Sequence, residues 1–97
     1  MKIKKIKGSY KGMNYQIVNG RFCPCAYVDV SNTSIAGKHY DDINIACHGG
    51  LTYSGPDNDG KGFLIGWDYG HVGDSHRSIK EIINDCIDVI NQIVRLN

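Results

Sequence analysis

The sequence predicts an α+β fold: a small antiparallel sheet of about four strands with one C-terminal amphipathic helix packed on one face. Three observations carry that expectation. Segments between residues 14 and 69 alternate apolar and polar side chains with the two-residue period of a half-buried strand. Short stretches rich in Gly, Asn, Asp and Ser punctuate them. After residue 78 the apolar period becomes that of a helix.

The first hairpin is read from Val18-Asn19-Gly20-Arg21. Asn-Gly tolerates the two positive φ values of a type I′ turn, so residues 14–18 and 21–30 are expected to pair across it. In the second of these strands Phe22, Ala26, Val28 and Val30 point one way, and Cys23, Cys25, Tyr27 and Asp29 the other. Residues 31–34 and 36–42 read as polar loop. Residues 43–48 read as a third strand, with Ile43, Ile45 and Cys47 set against Asn44, Ala46 and His48. Gly49-Gly50 ends or bends it, 51–54 resume it, and 55–60 form a tip. The fourth strand, 62–69, places Phe63, Ile65, Trp67 and Tyr69 on one face and Leu64, Gly66 and Asp68 on the other.

Ser78-Ile79-Lys80-Glu81 fits a capping box, in which the serine oxygen and the glutamate carboxylate satisfy orphan helix amides reciprocally. Ile79, Ile82, Ile83, Cys86, Ile90, Ile93 and Val94 then recur at three- and four-residue steps as one apolar stripe, widened by Ile87 and Val89. One helix covers one sheet face. The other face must therefore meet solvent, a ligand or another subunit. By the parity above, that second face carries Cys23, Cys25, Tyr27, Asp29, Asn44, His48 and Asp68.

Ninety-seven residues, 41% hydrophobic and 22% charged, fit one globular domain spanning 1–97 and exclude a disordered chain. The net charge of +1 hides an asymmetry. Lys2, Lys4, Lys5, Lys7, Lys11 and Arg21 precede any acid, whereas residues 22–97 hold five basic and ten acidic side chains, a balance of −5. The basic arm, about 1–11, reads as a lysine-protected edge strand, as a contact for a polyanion, or as a partner for the acidic body. Lysines interrupt the first apolar run, and no stretch of about 18 apolar residues follows, so neither an export signal nor a membrane span is expected. Four cysteines without an export signal point to reduced thiols and a cytoplasmic location.

Two motifs at the tip fail on inspection. Gly55 to Gly62 has the glycine and lysine spacing of a phosphate-binding P-loop, but lacks the magnesium-binding Ser/Thr and carries two carboxylates that repel phosphate. Asp57, Asp59, Gly62 and Asp68 shadow a calcium loop, yet Lys61 puts a cation at a ligand position. Cys23-Pro24-Cys25 lacks the two-residue gap of a zinc knuckle, although alternation would let His48 join both sulfurs on one face. No serine or cysteine sits in a nucleophile pattern. The densest chemistry is Asp68-Tyr69-Gly70-His71-Val72-Gly73-Asp74-Ser75-His76, with His48-Gly49-Gly50 as a second polar, glycine-rich strand exit. Carboxylates and imidazoles at this density suit hydrogen bonding to a polar ligand, a divalent metal, or acid–base work; alternatively Asp74 or Ser75 caps a turn.

His48-Gly49-Gly50-Leu51-Thr52-Tyr53-Ser54-Gly55, followed by Ile65-Gly66-Trp67-Asp68-Tyr69-Gly70-His71-Val72-Gly73-Asp74, resembles a group of small proteins from phages and mobile elements. Their pattern is His-Gly-Gly-Leu-Thr-Tyr/Phe-Ser, then Gly-Phe-Asp-Cys-Ala-His-x-Gly-Asp, then a C-terminal helix. This chain departs from it at Trp67, Tyr69 and Gly70. The resemblance implies a context rather than a reaction. A compact protein of this kind is similar to the inhibitors and nucleotide sponges that phages use against bacterial defence.

The expected function is that of a non-catalytic binding protein, acting in the host cytoplasm and needing no cofactor. It either sequesters a polar small molecule such as a nucleotide signal or blocks a host defence protein. His48, Thr52, Tyr53, Ser54, Asp68, His71 and Asp74 are the expected ligand contacts, with Tyr27 or Trp67 available for stacking. The alternative is a metal-dependent phosphoesterase in which His48, Asp68, His71 and Asp74 hold the metal. The uncovered sheet face also predicts a homo-oligomer, most simply a dimer.

Overall fold

The computed structural model describes residues 5–19, 23–57, 60–70 and 78–96. It is an α+β fold, one open antiparallel sheet of five strands with a single C-terminal helix on it. The strands are β1 (Lys5–Tyr10), β2 (Met13–Asn19), β3 (Pro24–Asp29), β4 (Tyr53–Pro56) and β5 (Phe63–Asp68), and the helix is α1 (Ile79–Leu96). Their order across the sheet is β1-β2-β3-β5-β4.

The added strand is the basic segment. Lys5–Tyr10 pairs with β2 from Lys5↔Val18 to Tyr10↔Met13, so this part of the arm is an edge strand. The two-residue turn that joins them is Lys11-Gly12, with φ of 50° and 81°. Both values are positive, as a type I′ turn requires. The register departs from the two-residue connection expected at Asn19-Gly20. Val18 pairs with Cys25 and Asn19 with Pro24, which puts four residues, 20–23, between the strands. Gly20, Arg21 and Phe22 lie outside the described residues.

The alternation expected in the two central strands holds. Ala26 and Val28 of β3 and Ile65 and Trp67 of β5 face the core at 0–1% exposure, while Cys25, Tyr27, Asp29 and Asp68 lie on the opposite side. Residues 43–48 form no strand, because β3 pairs directly with β5 and leaves no place between them. Their periodic burial has another cause. Ile43 and Ile45 drop into the core, and the side chain of Gln92 holds the backbone between them and His48. Gln92 Oε1 accepts from the Ala46 amide at 2.9 Å, and Nε2 donates to the Ala46 carbonyl at 2.7 Å. A glutamine thus supplies the two bonds a neighbouring strand would have made. Ile35, between the two segments read as polar loop, is also core at 4% exposure.

The helix begins on the expected capping box. Ser78 Oγ accepts from the Glu81 amide at 3.2 Å, and Glu81 Oε1 accepts from the Ser78 amide at 3.0 Å. Ile82, Cys86, Val89, Ile90 and Ile93 are its buried residues, resting over β2 and β3. Ile79 and Val94, expected in the stripe, are 41% and 39% exposed. They sit in the first and last turns, off the face that Ile82, Cys86, Val89, Ile90 and Ile93 bury. Among the described residues no helix is long and apolar enough to cross a membrane.

Candidate functional site on the open sheet face

The register sorts the open face into rows. Lys7 pairs with Gln16, Gln16 with Tyr27, Tyr27 with Gly66, and Gly66 with Tyr53, so five residues cross all five strands in one line. The next row runs Lys5, Val18, Cys25, Asp68. Directly paired residues share a sheet face. Both rows therefore carry their lysines at the β1 edge and their aromatic or acidic side chains toward β5 and β4.

The Tyr27 ring packs against Gly66, and the Tyr53 ring stands perpendicular to it with ring centroids 5.7 Å apart at 88°. The Tyr53 hydroxyl donates to the Pro56 carbonyl at 3.0 Å, which pins that ring over Gly55. Beside the two rings is a pocket of about 410 Å³ lined by Lys7, Ser9, Asn14, Gln16, Tyr27 and Asp29 among others. That is the size of a small-molecule site. Asp29 is fixed in place by Ser31, whose amide donates to Asp29 Oδ1 at 2.9 Å and whose hydroxyl donates to the same oxygen. Burial, reinforced by Cys25, pushes the Tyr27 hydroxyl above its ordinary value, so it is a neutral donor at physiological pH.

Asp68 organises the end of β5. Its Oδ2 accepts from Thr52 Oγ1 at 3.3 Å and its Oδ1 from the Gly70 amide at 3.1 Å. Cys23 and Cys25 stand beside it: the Cys23 sulfur abuts Gly70, and Cys25 Sγ reaches the Cys23 carbonyl at 3.9 Å. Burial, then the neighbouring Cys23 and Asp68, pushes the Cys25 thiol up to about 11. A thiol so disfavoured as thiolate is a poor nucleophile at neutral pH.

The expected ligand contacts divide. Thr52 and Asp68 are brought together, and Tyr53 joins Tyr27 on the open face. Ser54 pairs with the buried Ile65 and so points to the helix side. His48 also departs from expectation. Its ring stacks on Tyr69 at 4.7 Å and 16°. Tyr69 belongs to the core side, where its hydroxyl accepts from Trp67 Nε1 at 2.9 Å and donates to Asp85 Oδ2 of the helix at 2.6 Å. His48 and Asp68 thus meet the end of β5 from opposite sides, because residues 43–48 pack along the helix rather than in the sheet. Trp67 is core at 1% exposure and offers no stacking face. His71, Val72, Gly73, Asp74, Ser75 and His76 lie outside the described residues, as do Asn58 and Asp59 of the tip.

No family model, curated protein or solved structure matches this chain. The arrangement must speak through its chemistry. Among the described residues no three His, Cys, Asp or Glu side chains gather as a metal site. The residues that sequence reasoning missed are Lys5, Lys7, Asn14 and Gln16. The type I′ turn at Lys11-Gly12 was the signal that would have brought β1 onto this face.

Proposed function

We propose that the protein is a non-catalytic binding protein that holds a polar small molecule on the open face of its sheet. The observation that carries this reading is the placing of Tyr27, packed on Gly66, in the wall of a pocket of about 410 Å³ that lysine, amide and carboxylate side chains also line. Aromatic surface for a flat ring and a few oriented polar groups are what a small-ligand site needs. The resemblance to phage and mobile-element proteins supplies the setting: sequestration of a signalling molecule in the cytoplasm of an infected cell, with the protein self-associating as a dimer. Thr52 and Asp68 then belong to the rim of the same face.

Native mass spectrometry of freshly purified protein tests it. The expected result is a retained small molecule, released intact on denaturation, and absent from the Tyr27→Leu variant at unchanged melting temperature. Release of a cleaved product whose formation requires added divalent metal would replace this reading with the phosphoesterase. Tight capture of a host protein, with no small molecule ever retained, would replace it with the inhibitor of a defence protein.

A further inference from the structure

The open face is electrically polar. Lys5 and Lys7 stand on β1 at one edge, and among the described residues neither has an ion-pair partner. The carboxylates of Asp29, Asp57 and Asp68 stand on β3, at the tip and on β5. Between them lies the ring of Tyr27, two strands from Lys7 in the same row. Strand spacing sets the two backbones about 10 Å apart, a gap one small molecule bridges with an anion at one end and a flat ring at the other.

Resting on the binding reading above, we infer that the ligand is a mononucleotide-class molecule: its phosphate sits on Lys5 and Lys7, its base lies against Tyr27, and its hydrogen-bond donors face Asp29. Each part follows from an observed feature. The lysines supply the positive charge on this face, so the anion goes to β1. The glycine beside Tyr27 lets that ring pack close against the sheet, and the part of the ring that lines the pocket is the stacking surface. Asp29 Oδ1 is taken by Ser31, and Oδ2 makes no hydrogen bond among the described residues, so it is the acceptor available to an amino group or a ribose hydroxyl. The same carboxylates argue against a longer strand. A second and third phosphate continuing across the sheet would run from the lysines toward Asp29 and Asp68 and be repelled. Gln16, between Lys7 and Tyr27, is placed to hydrogen-bond the part of the ligand that joins phosphate to base.

Calorimetry on the full chain, using the four common nucleoside monophosphates, their parent nucleosides and inorganic phosphate, tests the assignment. At least one monophosphate binds, its nucleoside binds about tenfold more weakly, and added salt weakens only the monophosphate. Lys5→Gln with Lys7→Gln reduces the monophosphate to the level of its nucleoside. Tyr27→Leu, which still covers Gly66, weakens both by about fivefold or more. Circular dichroism melts confirm that both variants remain folded, and Lys38→Gln is the charge control. Equal affinity for nucleoside and monophosphate, or indifference to the lysine substitutions, overturns the inference while leaving the binding reading intact. So does retention of a different polar molecule with no nucleotide binding, or affinity that grows with oligonucleotide length. Failure to bind any probe, with nothing retained from the cell, sinks both together.

Discussion

The ring of Tyr27 lies so close to Gly66 that a Cβ on the glycine would stand 2.5 Å from Tyr27 Cδ1 and 2.9 Å from the carbonyl oxygen of Ala26. The same pairing recurs at Gly55, where an added Cβ would meet the Tyr53 hydroxyl at 2.8 Å, and at Gly8, which lies under the Tyr15 ring. In each case a tyrosine covers the gap that a strand glycine leaves in the sheet, offsetting the weakness of glycine in a strand. Two of these pairs face the open side and one faces the helix. Covering glycine is thus the local, structural reason for the tyrosines, and a half-buried ring in the pocket wall is its by-product on the open face.

Gly66→Ala tests that contact directly. One obstacle is backbone and cannot swing away, so the substitution is expected to cost about 1–3 kcal/mol by overpacking. In a Tyr27→Ala background the cost should shrink by more than about 0.5 kcal/mol, since only the Ala26 carbonyl still resists. Urea unfolding of the four proteins in the cycle measures both. Independent effects would mean that the ring does not press on Gly66.

Gln92→Ala should act locally. Ala46 is exposed, so losing the pair of bonds to its amide and carbonyl is expected to cost only about 1–2 kcal/mol globally. The larger change should appear in hydrogen exchange at the Ala46 amide, whose protection depends on that one side chain. If protection at Ala46 survives, residues 43–48 are held by their isoleucines alone.

The helix offers a graded series. Ser78→Ala removes one half of the capping box and should cost about 1 kcal/mol. Ile90→Ala, at 0% exposure, should cost about 2–5 kcal/mol. Val94→Ala, 39% exposed, should stay within about 0.5 kcal/mol. Thermal melts that rank Val94 with Ile90 would place the buried stripe one turn further along.

What the sequence made legible here was local. The capping box at Ser78 and Glu81, the helix and the parity of 62–69 each follow from residues within a few positions of one another, and each is observed. What failed was the placing of pieces. Residues 43–48 have the burial alternation of a strand, but alternation reports a buried side and not a hydrogen-bond partner, and the partner turned out to be Gln92. The lysine-rich opening left three readings, and pairing with β2 selects the lysine-protected edge strand, with Ile6 and Tyr10 packed on the core. The misplaced 43–48 and the pairing of β1 together moved the candidate site. The first took His48 off the open face, and the second put Lys5 and Lys7 on it.

The last expectation concerns alkaline pH. Burial pushes Cys47 up to about 11 and Cys86 up to about 12 from an ordinary value of 9.0, with the nearby Asp85 adding to both, and Cys25 rises to about 11. Burial and the hydrogen bond to Asp85 likewise hold the Tyr69 hydroxyl protonated well above its ordinary 10.0. In every case the folded state keeps the proton longer than the unfolded chain does. The stability these groups contribute is therefore complete below about pH 9 and is lost as pH rises through 9 toward 12. Each proton released only on unfolding steepens the fall by up to about 1.4 kcal/mol per pH unit. Urea unfolding from pH 7 to 10.5, with reductant to keep the thiols from oxidising, should show a plateau and then a decline. Cys86→Ala will lower the plateau, because it empties a core position, but it should make the decline shallower by about one proton. An unchanged slope in that variant would mean that Cys86 titrates as it does in water, and that the helix does not bury it.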